Sequence, residues 1–304
     1  MVSKTRITVF TPTYNRAHTI NRTYKSLCNQ TCKEFIWLII DDGSSDNTRE
    51  LVEQWINEDI IQIQYIYKEN GGMHTAHNTA YNNISTELNI CIDSDDQIAE
   101  NAIDTILTFW EKYGDETYAG LVGLDATLDG RLIGKGFPDN LKDTTLSSYY
   151  ATGGKGDKKL VYRTDVIKRY QDYPEYKGER LVPLGVKYTL IDQDYKLLIL
   201  NEVLCYVEYQ DTGSSNTIFK QYIESPKGFS YARKINMVYG ATLKKRFLSC
   251  IHYVSSSIFE HNKEFYRDSP KKIMTLFSLI PGTLLNIYIR FRVQFLDKFQ
   301  GAKK

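Results

Sequence analysis

The first 100 residues alternate four times between a short apolar run and a polar loop that leads into a helical stretch. The runs are Ile7 to Thr11, Phe35 to Ile40, Ile61 to Tyr67 and Leu88 to Ile92, about 30 residues apart. A short apolar run bounded by polar residues reads as a strand buried on both faces, which is how parallel strands are covered. The expected fold class is therefore α/β, a Rossmann-like doubly wound, mostly parallel sheet. Each strand runs into polar loop chemistry at its carboxyl end. Open α/β sheets bind ligands along that edge, so these loops are expected to build one site.

The fourth loop is the most demanding. Asn89-Ile90-Cys91-Ile92 runs into Asp93-Ser94-Asp95-Asp96, three carboxylates within four positions. Acids this close repel one another, and one would hold a proton unless a cation intervenes. Hard oxygen ligands suit Mg²⁺ or Mn²⁺, which can bridge carboxylates to the phosphates of a nucleotide. A solvated acidic turn capping the next helix is the plainer alternative. The other loops also fit a nucleotide. Tyr14, in Pro12-Thr13-Tyr14-Asn15-Arg16, offers a ring to stack on a base. Asp41, in Asp41-Asp42-Gly43-Ser44-Ser45-Asp46, can accept from a base or ribose. Asn70 with Gly71-Gly72 allows close backbone approach, ahead of a helix carrying His74 and His77. No Gly-x-Gly-x-x-Gly follows the first strand, which argues against a dinucleotide cofactor. No Gly-x-x-x-x-Gly-Lys-Ser/Thr is present either, so this is not a P-loop nucleotidase.

At 304 residues, 42% hydrophobic and 25% charged, the chain has the composition of a soluble globular protein with ample core. Its five cysteines, at 28, 32, 91, 205 and 250, are odd in number, and one lies inside an apolar strand. This points to a reducing compartment rather than a disulfide framework. Cys28 and Cys32 are read as structural. The amino terminus leads into a strand without an apolar signal region, so the catalytic part is expected in the cytoplasm. The net charge of +1 hides a division. From Lys220 onward there are 16 Lys and Arg against 5 Asp and Glu, whereas the preceding residues hold 22 against 32. An acidic body thus precedes a basic arm of net +11. Such an arm suits nucleic acid or an anionic membrane surface.

Pro12-Thr13-Tyr14-Asn15, the Asp41 to Asp46 loop, Asn70-Gly71-Gly72 through His77-Asn78, and Asp93-Ser94-Asp95-Asp96 occur in order. Together they resemble the family 2 glycosyltransferases of GT-A fold, over roughly residues 4–215 and best in the first 110. The resemblance implies a nucleotide-diphosphate sugar donor, foremost a UDP-sugar, a divalent metal, and inversion at the anomeric carbon. It implies that Pro12, Tyr14, Asn15, Asp41, Asp42, Asn70 and Gly71 line the donor site, with Tyr14 and Asp41 on the base. Asp93 and Asp95 would face ribose and diphosphate, and Asp95 or Asp96 would hold the metal. The implied organisation is a GT-A domain over 1–216, with a nucleotide-sugar half (1–115) and an acceptor half (116–216). A basic helical region, 217–304, follows it.

Many members supply the general base from a Glu-Asp pair opening a helix. This chain has Gly178-Glu179-Arg180 instead, as capsule-type members have Gly-Glu-Lys, so Glu179 is the expected base and Asp192 the alternative. Glu179 also fits as a plain helix-start carboxylate. Residues 117–150 read as a strand, a hairpin around Asp129-Gly130 and a loop. Gly153-Gly154-Lys155-Gly156 reads as an acceptor-side loop or a phosphate cradle. A strand pair is expected at Leu197 to Leu200 and Val203 to Tyr209, before a polar loop, 210–216, that would close over the donor.

Ile273 to Ile289 carries no charge between Lys272 and Arg290. At 17 residues, with Pro281-Gly282 in the middle, it is short for a membrane-spanning helix. Two short helices lying in a membrane interface fit, as does a core helix pair. No nucleic-acid-binding motif supports the other use of the basic arm. The expected protein is peripheral on the inner face of the cell membrane. It would act on a glycan acceptor, lipid-linked, in capsular or surface polysaccharide assembly. A sugar nucleotidyltransferase and a non-catalytic nucleotide-sugar-binding or scaffold member are the alternatives. The former is expected to carry a Gly-rich basic loop where Pro12-Thr13-Tyr14-Asn15 stands.

Overall fold

The computed structural model describes residues 5–208 and 217–301. The chain divides into two compact units. One comprises residues 1–172 and 194–208, the other residues 173–193 and 209–304.

The first unit is built in the expected alternation. In order it runs β1 (Ile7–Thr13), α1 (Ile20–Cys28), β2 (Phe35–Asp41), α2 (Thr48–Glu58), β3 (Ile63–Tyr67), α3 (Met73–Asn83) and β4 (Leu88–Cys91). There follow β5 (Gln97–Ile98), α4 (Ala102–Tyr113), β6 (Tyr118–Thr127), β7 (Asp143–Thr144), α5 (Leu146–Ala151), β8 (Lys158–Arg163), α6 (Thr164–Arg169) and β9 (Lys196–Val207). The nine strands form one sheet in the order β3-β2-β1-β4-β8-β6-β9-β5, with β7 also paired to β9. β1 pairs in parallel with both β2 and β4, so the strand order reverses beside it. β8 runs antiparallel to β4 and to β6, and β9 runs parallel to β6.

Every residue of β1 is buried, as a central parallel strand requires. Pro12 lies past the end of the pairing with β4 at Phe10, where its missing N–H leaves no ladder bond unmade. One face of the sheet is closed by an aromatic stack, in which Tyr24 of α1 lies 4.3 Å from Trp55 of α2, above Trp37 of β2 at 5.8 Å from Trp55. The Trp37 indole N–H donates to Thr11 Oγ1 at 2.9 Å, so the buried ring keeps its polar end satisfied. On the other face Phe10 packs edge-on against His77 and Tyr81 of α3. Cys28 and Cys32 pack against this core, in keeping with a structural role, and all five cysteines are free thiols.

The structure differs from the sequence reading at β9. Lys196–Val207 is one strand, not a pair: it bends around Asn201 and Glu202 through register shifts against β6. The Asp129-Gly130 hairpin forms, with the Thr127 amide donating to Arg131 O, but it extends into only an isolated bridge, Ala126 to Leu132. The segment 173–193, read as part of the acceptor half, groups with the carboxy-terminal helices. The loop 210–216 lies outside the described residues.

The second unit holds α7 (Gly185–Ile191), α8 (Ile218–Glu224), α9 (Pro226–Tyr239), α10 (Leu243–Glu260), α11 (Phe265–Asp268), α12 (Lys272–Phe277) and α13 (Leu279–Gly301). Its core joins Met237, Cys250 and Tyr253. Gly228 of α9 approaches residue 181 so closely that a Cβ would stand 2.0 Å from Leu181 O. That contact ties 173–193 to this unit. The expected break at Pro281-Gly282 falls instead at Ser278, because Pro281 sits in the first turn of α13, where a missing N–H costs nothing. Among the described residues no helix is long and apolar enough to cross a membrane.

Candidate active site

The carboxyl ends of β1, β2, β3 and β4 bring the predicted loops to one edge of the first unit. Asp41 is fully buried, and both of its oxygens are engaged. Oδ1 accepts the Ser44 amide at 2.7 Å and Oδ2 the Tyr65 hydroxyl at 2.6 Å. Burial, then Asp41, raises the Tyr65 phenol well above its ordinary value, so it stays a donor.

Asp42 organises the next loop. Its Oδ1 accepts from Lys68 Nζ at 2.7 Å and the Gly71 amide at 3.0 Å, and its Oδ2 from the Gly72 amide at 2.7 Å. Asn70 Nδ2 donates to Asp42 O at 2.7 Å. Gly43 must be glycine, because its φ is +86° and a Cβ would lie 2.8 Å from the Asn70 amide nitrogen.

The Pro12–Asn15 loop is clamped onto the same turn. Asn15 has a left-handed φ of 53°, which asparagine tolerates. Its amide donates to Ser44 Oγ at 2.9 Å and its Oδ1 accepts the Ser45 amide at 2.8 Å. The Ala17 amide donates to Asp46 at 3.0 Å. Asn15 and Asp42 thus shape the site, while the Tyr14 ring stands nearly half exposed at its mouth.

Three buried polar atoms here have no protein partner: Thr13 Oγ1 at the end of β1, Asn70 Oδ1, and His74 Nδ1 in the first turn of α3. An orphaned buried polar atom is costly, so each calls for a ligand or water. Burial lowers the His74 pKa to about 4, against the pull of Asp42, so the imidazole is neutral at physiological pH.

The acidic turn is tied back by the Asp96 amide on Asp93 O at 3.0 Å and by Thr23 Oγ1, which donates to Asp96 O at 2.8 Å. Its side chains part company. Asp93 and Asp95 are partly exposed, and Arg16 approaches Asp95 at 3.9 Å. Burial, then Asp93, raises the Asp95 pKa. Asp96 turns inward and is buried. Lys159 Nζ of β8 stands 3.8 Å from Asp96 Oδ2 and 3.8 Å from Asp125 Oδ1 of β6. Burial pushes the Asp96 pKa up to about 8, with Lys159 pulling it down. Burial disfavours the Lys159 ammonium, but Asp125 and the other surrounding acids outweigh it and hold its pKa well above the lysine range.

Among the described residues no three His, Cys, Asp or Glu side chains converge as a preformed metal cage. The partly exposed carboxylates of Asp93 and Asp95 are the groups here that could hold a divalent cation.

Glu179 and Asp192 lie in the second unit. Glu179 receives the amino end of α9, accepting the Lys227 amide at 3.0 Å and the Gly228 amide at 2.9 Å, one on each oxygen. Asp192 caps the carboxyl end of α7. The Gly153 to Gly156 loop ends in β8 and offers no helix start.

Sequence reasoning missed Lys159, Asp125, Thr13 and the partnerless state of His74. An aspartate inside Leu121-Val122-Gly123-Leu124-Asp125-Ala126 is a signal for a buried partnered charge, which could have drawn attention to Asp125.

The family profile described as "Glycosyl transferase family 2" matches residues 8–134. Residues 8–134 thus carry a family 2 glycosyltransferase domain. The glycosyltransferase GlyA of Streptococcus pneumoniae is 33% identical over 106 residues, 35% of this chain and 15% of GlyA. The chain thus matches only a small part of that relative's length. The poly(ribitol-phosphate) beta-N-acetylglucosaminyltransferase TarP of Staphylococcus aureus is 24% identical, over 79% of this chain and 72% of TarP. A Campylobacter jejuni beta-1,3-glucosyltransferase named for a GalNAc(5)-diNAcBac-PP-undecaprenol substrate is 28% identical, over 57% of this chain and 56% of that protein. Among solved structures, S. aureus TarS 1-349 with UDP-GlcNAc superposes with a TM-score of 0.58 at 16% identity, covering 93% of this chain and 89% of that one. The mannosyltransferase PcManGT of Pyrobaculum calidifontis, with GDP-Man and Mn²⁺, superposes at 0.54 with 14% identity, covering 94% and 88%. The chain thus has the GT-A fold, with a helical carboxy-terminal region.

Proposed function

We propose that this glycosyltransferase moves a sugar from a UDP-sugar to a hydroxyl of a lipid-linked glycan, with inversion, in the assembly of a capsular or other surface polysaccharide. The observation that carries the donor half is the convergence of Tyr14, Asp41, Asp42 and Asn70 with Asp93 and Asp95 on one edge, among partnerless polar atoms. In this reading Tyr14 stacks on the base, and the Asn70 loop approaches the donor closely. Asp95, with Asp93 beside it, holds a divalent cation against the donor phosphates. A cation there neutralises the leaving diphosphate. Asp96 supports the turn from behind through Lys159. The UDP-GlcNAc in TarS and the Mn²⁺ in PcManGT favour this chemistry. The undecaprenol-linked substrate named for the Campylobacter relative favours a lipid-linked acceptor. Such an acceptor would bring the enzyme to the inner face of the cell membrane.

The acceptor proton is assigned to Glu179, with Asp192 as the second candidate. Each Glu179 oxygen accepts one backbone N–H and keeps another lone pair for the acceptor hydroxyl. A base so held contributes about 10²- to 10⁴-fold. The same two bonds favour a second reading, in which Glu179 is only a helix cap and the chain binds a nucleotide sugar without turning it over.

Calorimetry with UDP and a panel of nucleotide sugars, with and without Mn²⁺, tests the donor site. Metal-dependent binding by the wild type, lost in Asp95→Ala, is expected. A folded protein that binds no nucleotide would overturn the transferase reading. Glu179→Gln separates the two roles: donor binding kept and turnover lost identifies a base, whereas a wild type that binds donor but never turns over supports the second reading.

A further inference from the structure

Along α12 and α13, Ile273, Phe277, Ile280, Leu284, Ile287 and Phe291 are spaced four, three, four, three and four residues apart. Within each helix, side chains at that spacing share one face. All six are between 44% and 76% exposed. A row of large apolar side chains left in water over this length marks a surface that meets something. The opposite face of α13 is committed to the protein. Gly282 packs so closely on α10 that a Cβ would lie 2.5 Å from Val254 Cβ, and Asn286 Nδ2 donates to Ser255 O at 3.0 Å. Ile289 is buried on that side.

Charge decides what covers the outer face. At about 100° per residue, Arg290 and Arg292 fall on opposite flanks of the apolar row. Each is held there by an aromatic ring, Arg290 over Phe259 at 4.8 Å and Arg292 over Phe219 at 5.9 Å. Lys271 and Lys272 open α12. No acidic residue occurs between Asp268 and Asp297. A second copy seated on this row would set these cations against their own kind, which is destabilising. An apolar centre rimmed by cations is complementary to acyl chains beneath anionic headgroups.

We propose that the outer face of α12 and α13 docks on an anionic lipid bilayer, lying in its interface plane. Ile273, Phe277, Ile280, Leu284, Ile287 and Phe291 enter the acyl boundary while Lys271, Lys272, Arg290 and Arg292 meet the headgroups. Tyr288, beside the row and half exposed, has the amphipathic ring that membrane interfaces favour. This inference rests on, and deepens, the membrane part of the function proposed above.

Flotation of the full chain with phosphatidylglycerol-rich vesicles tests it. Binding is expected there, and much less with phosphatidylcholine alone. Phe277→Asp/Phe291→Asp, at two exposed positions, is expected to weaken binding about tenfold or more with circular dichroism and melting temperature unchanged. Phe277→Trp is expected to shift its emission to the blue on anionic vesicles and to be quenched by lipids brominated near the headgroup. Four outcomes would overturn the proposal. They are a wild type that stays in solution, undiminished binding by the double Asp variant, an unshifted tryptophan on bound vesicles, and self-association that the double Asp variant abolishes. Donor calorimetry on the same preparations keeps the two readings apart: retained nucleotide binding without vesicle binding sinks the docking surface and leaves the transferase standing.

Discussion

Lys159 shows how much of this site depends on a residue that is largely buried. Its ammonium is buried between Asp96 and Asp125, and removing it leaves two acids without their common partner. An uncompensated buried charge costs about 3 to 5 kcal/mol. Lys159→Met is therefore expected to lower stability by about 3 kcal/mol, read by urea denaturation, and to weaken metal-dependent donor binding. Lys159→Met/Asp125→Leu should recover part of the loss, since one of the stranded acids is gone. A single variant as stable as the wild type would show that the trio contributes nothing. Lys159 lay beyond the reach of the sequence reading because its partners stand 63 and 34 positions away and meet it only through the strand order β4-β8-β6.

At the scale of elements, the loops after β1 and β2 behave as one clamp. Asn15 combines a left-handed backbone with the bond to the Ser45 amide, two properties few side chains share. Asn15→Ala loses both and is expected to cost about 1 to 2 kcal/mol, whereas Asn15→Gly keeps the backbone freedom and should cost less. Thermal unfolding of the pair, with donor affinity alongside, measures the difference. Equal losses would mean the hydrogen bond alone matters. The four alternating units were legible because buried parallel strands are written as apolar runs. β9 was misread as two strands because Asn201-Glu202 is polar, although a central strand bends there without ending. The entry to α13 was misread for the opposite reason, since a proline breaks a helix interior but suits its first turn.

For the whole molecule, acid is the stress to apply. His74 has its pKa lowered to about 4 by burial in the first unit, and His252 is lowered in the same direction by burial, then Arg233, in the second. In the unfolded chain an imidazole takes up its proton near pH 6.5. Between pH 6.5 and about 4 the unfolded state thus binds more protons than the folded one, so stability rises with pH across that window and falls on acidification. The loss expected from His74 alone is about 2 to 3 kcal/mol. Denaturation midpoints measured from pH 7 to pH 4 should fall, and His74→Gln should flatten the slope. An unchanged slope in the variant would place the titration elsewhere. The charge division, acidic body and basic arm, was legible by counting. The membership of residues 173–193 was not, because the contact that decides it, Gly228 against Leu181, joins positions 47 apart.

That crossing of the chain has a consequence for synthesis. β9 follows α7 off the ribosome, so the first unit receives its last long strand only after the chain has made a piece of the second. Val182, Val186 and Ile191, all buried in the finished protein, then emerge before α9, the helix that packs on α7. At about 5 to 20 residues per second, the wait for α9 is several seconds. During that interval a nascent chain carries three aliphatic side chains whose packing partner is not yet made, and it is at that moment that a chaperone has most to offer it.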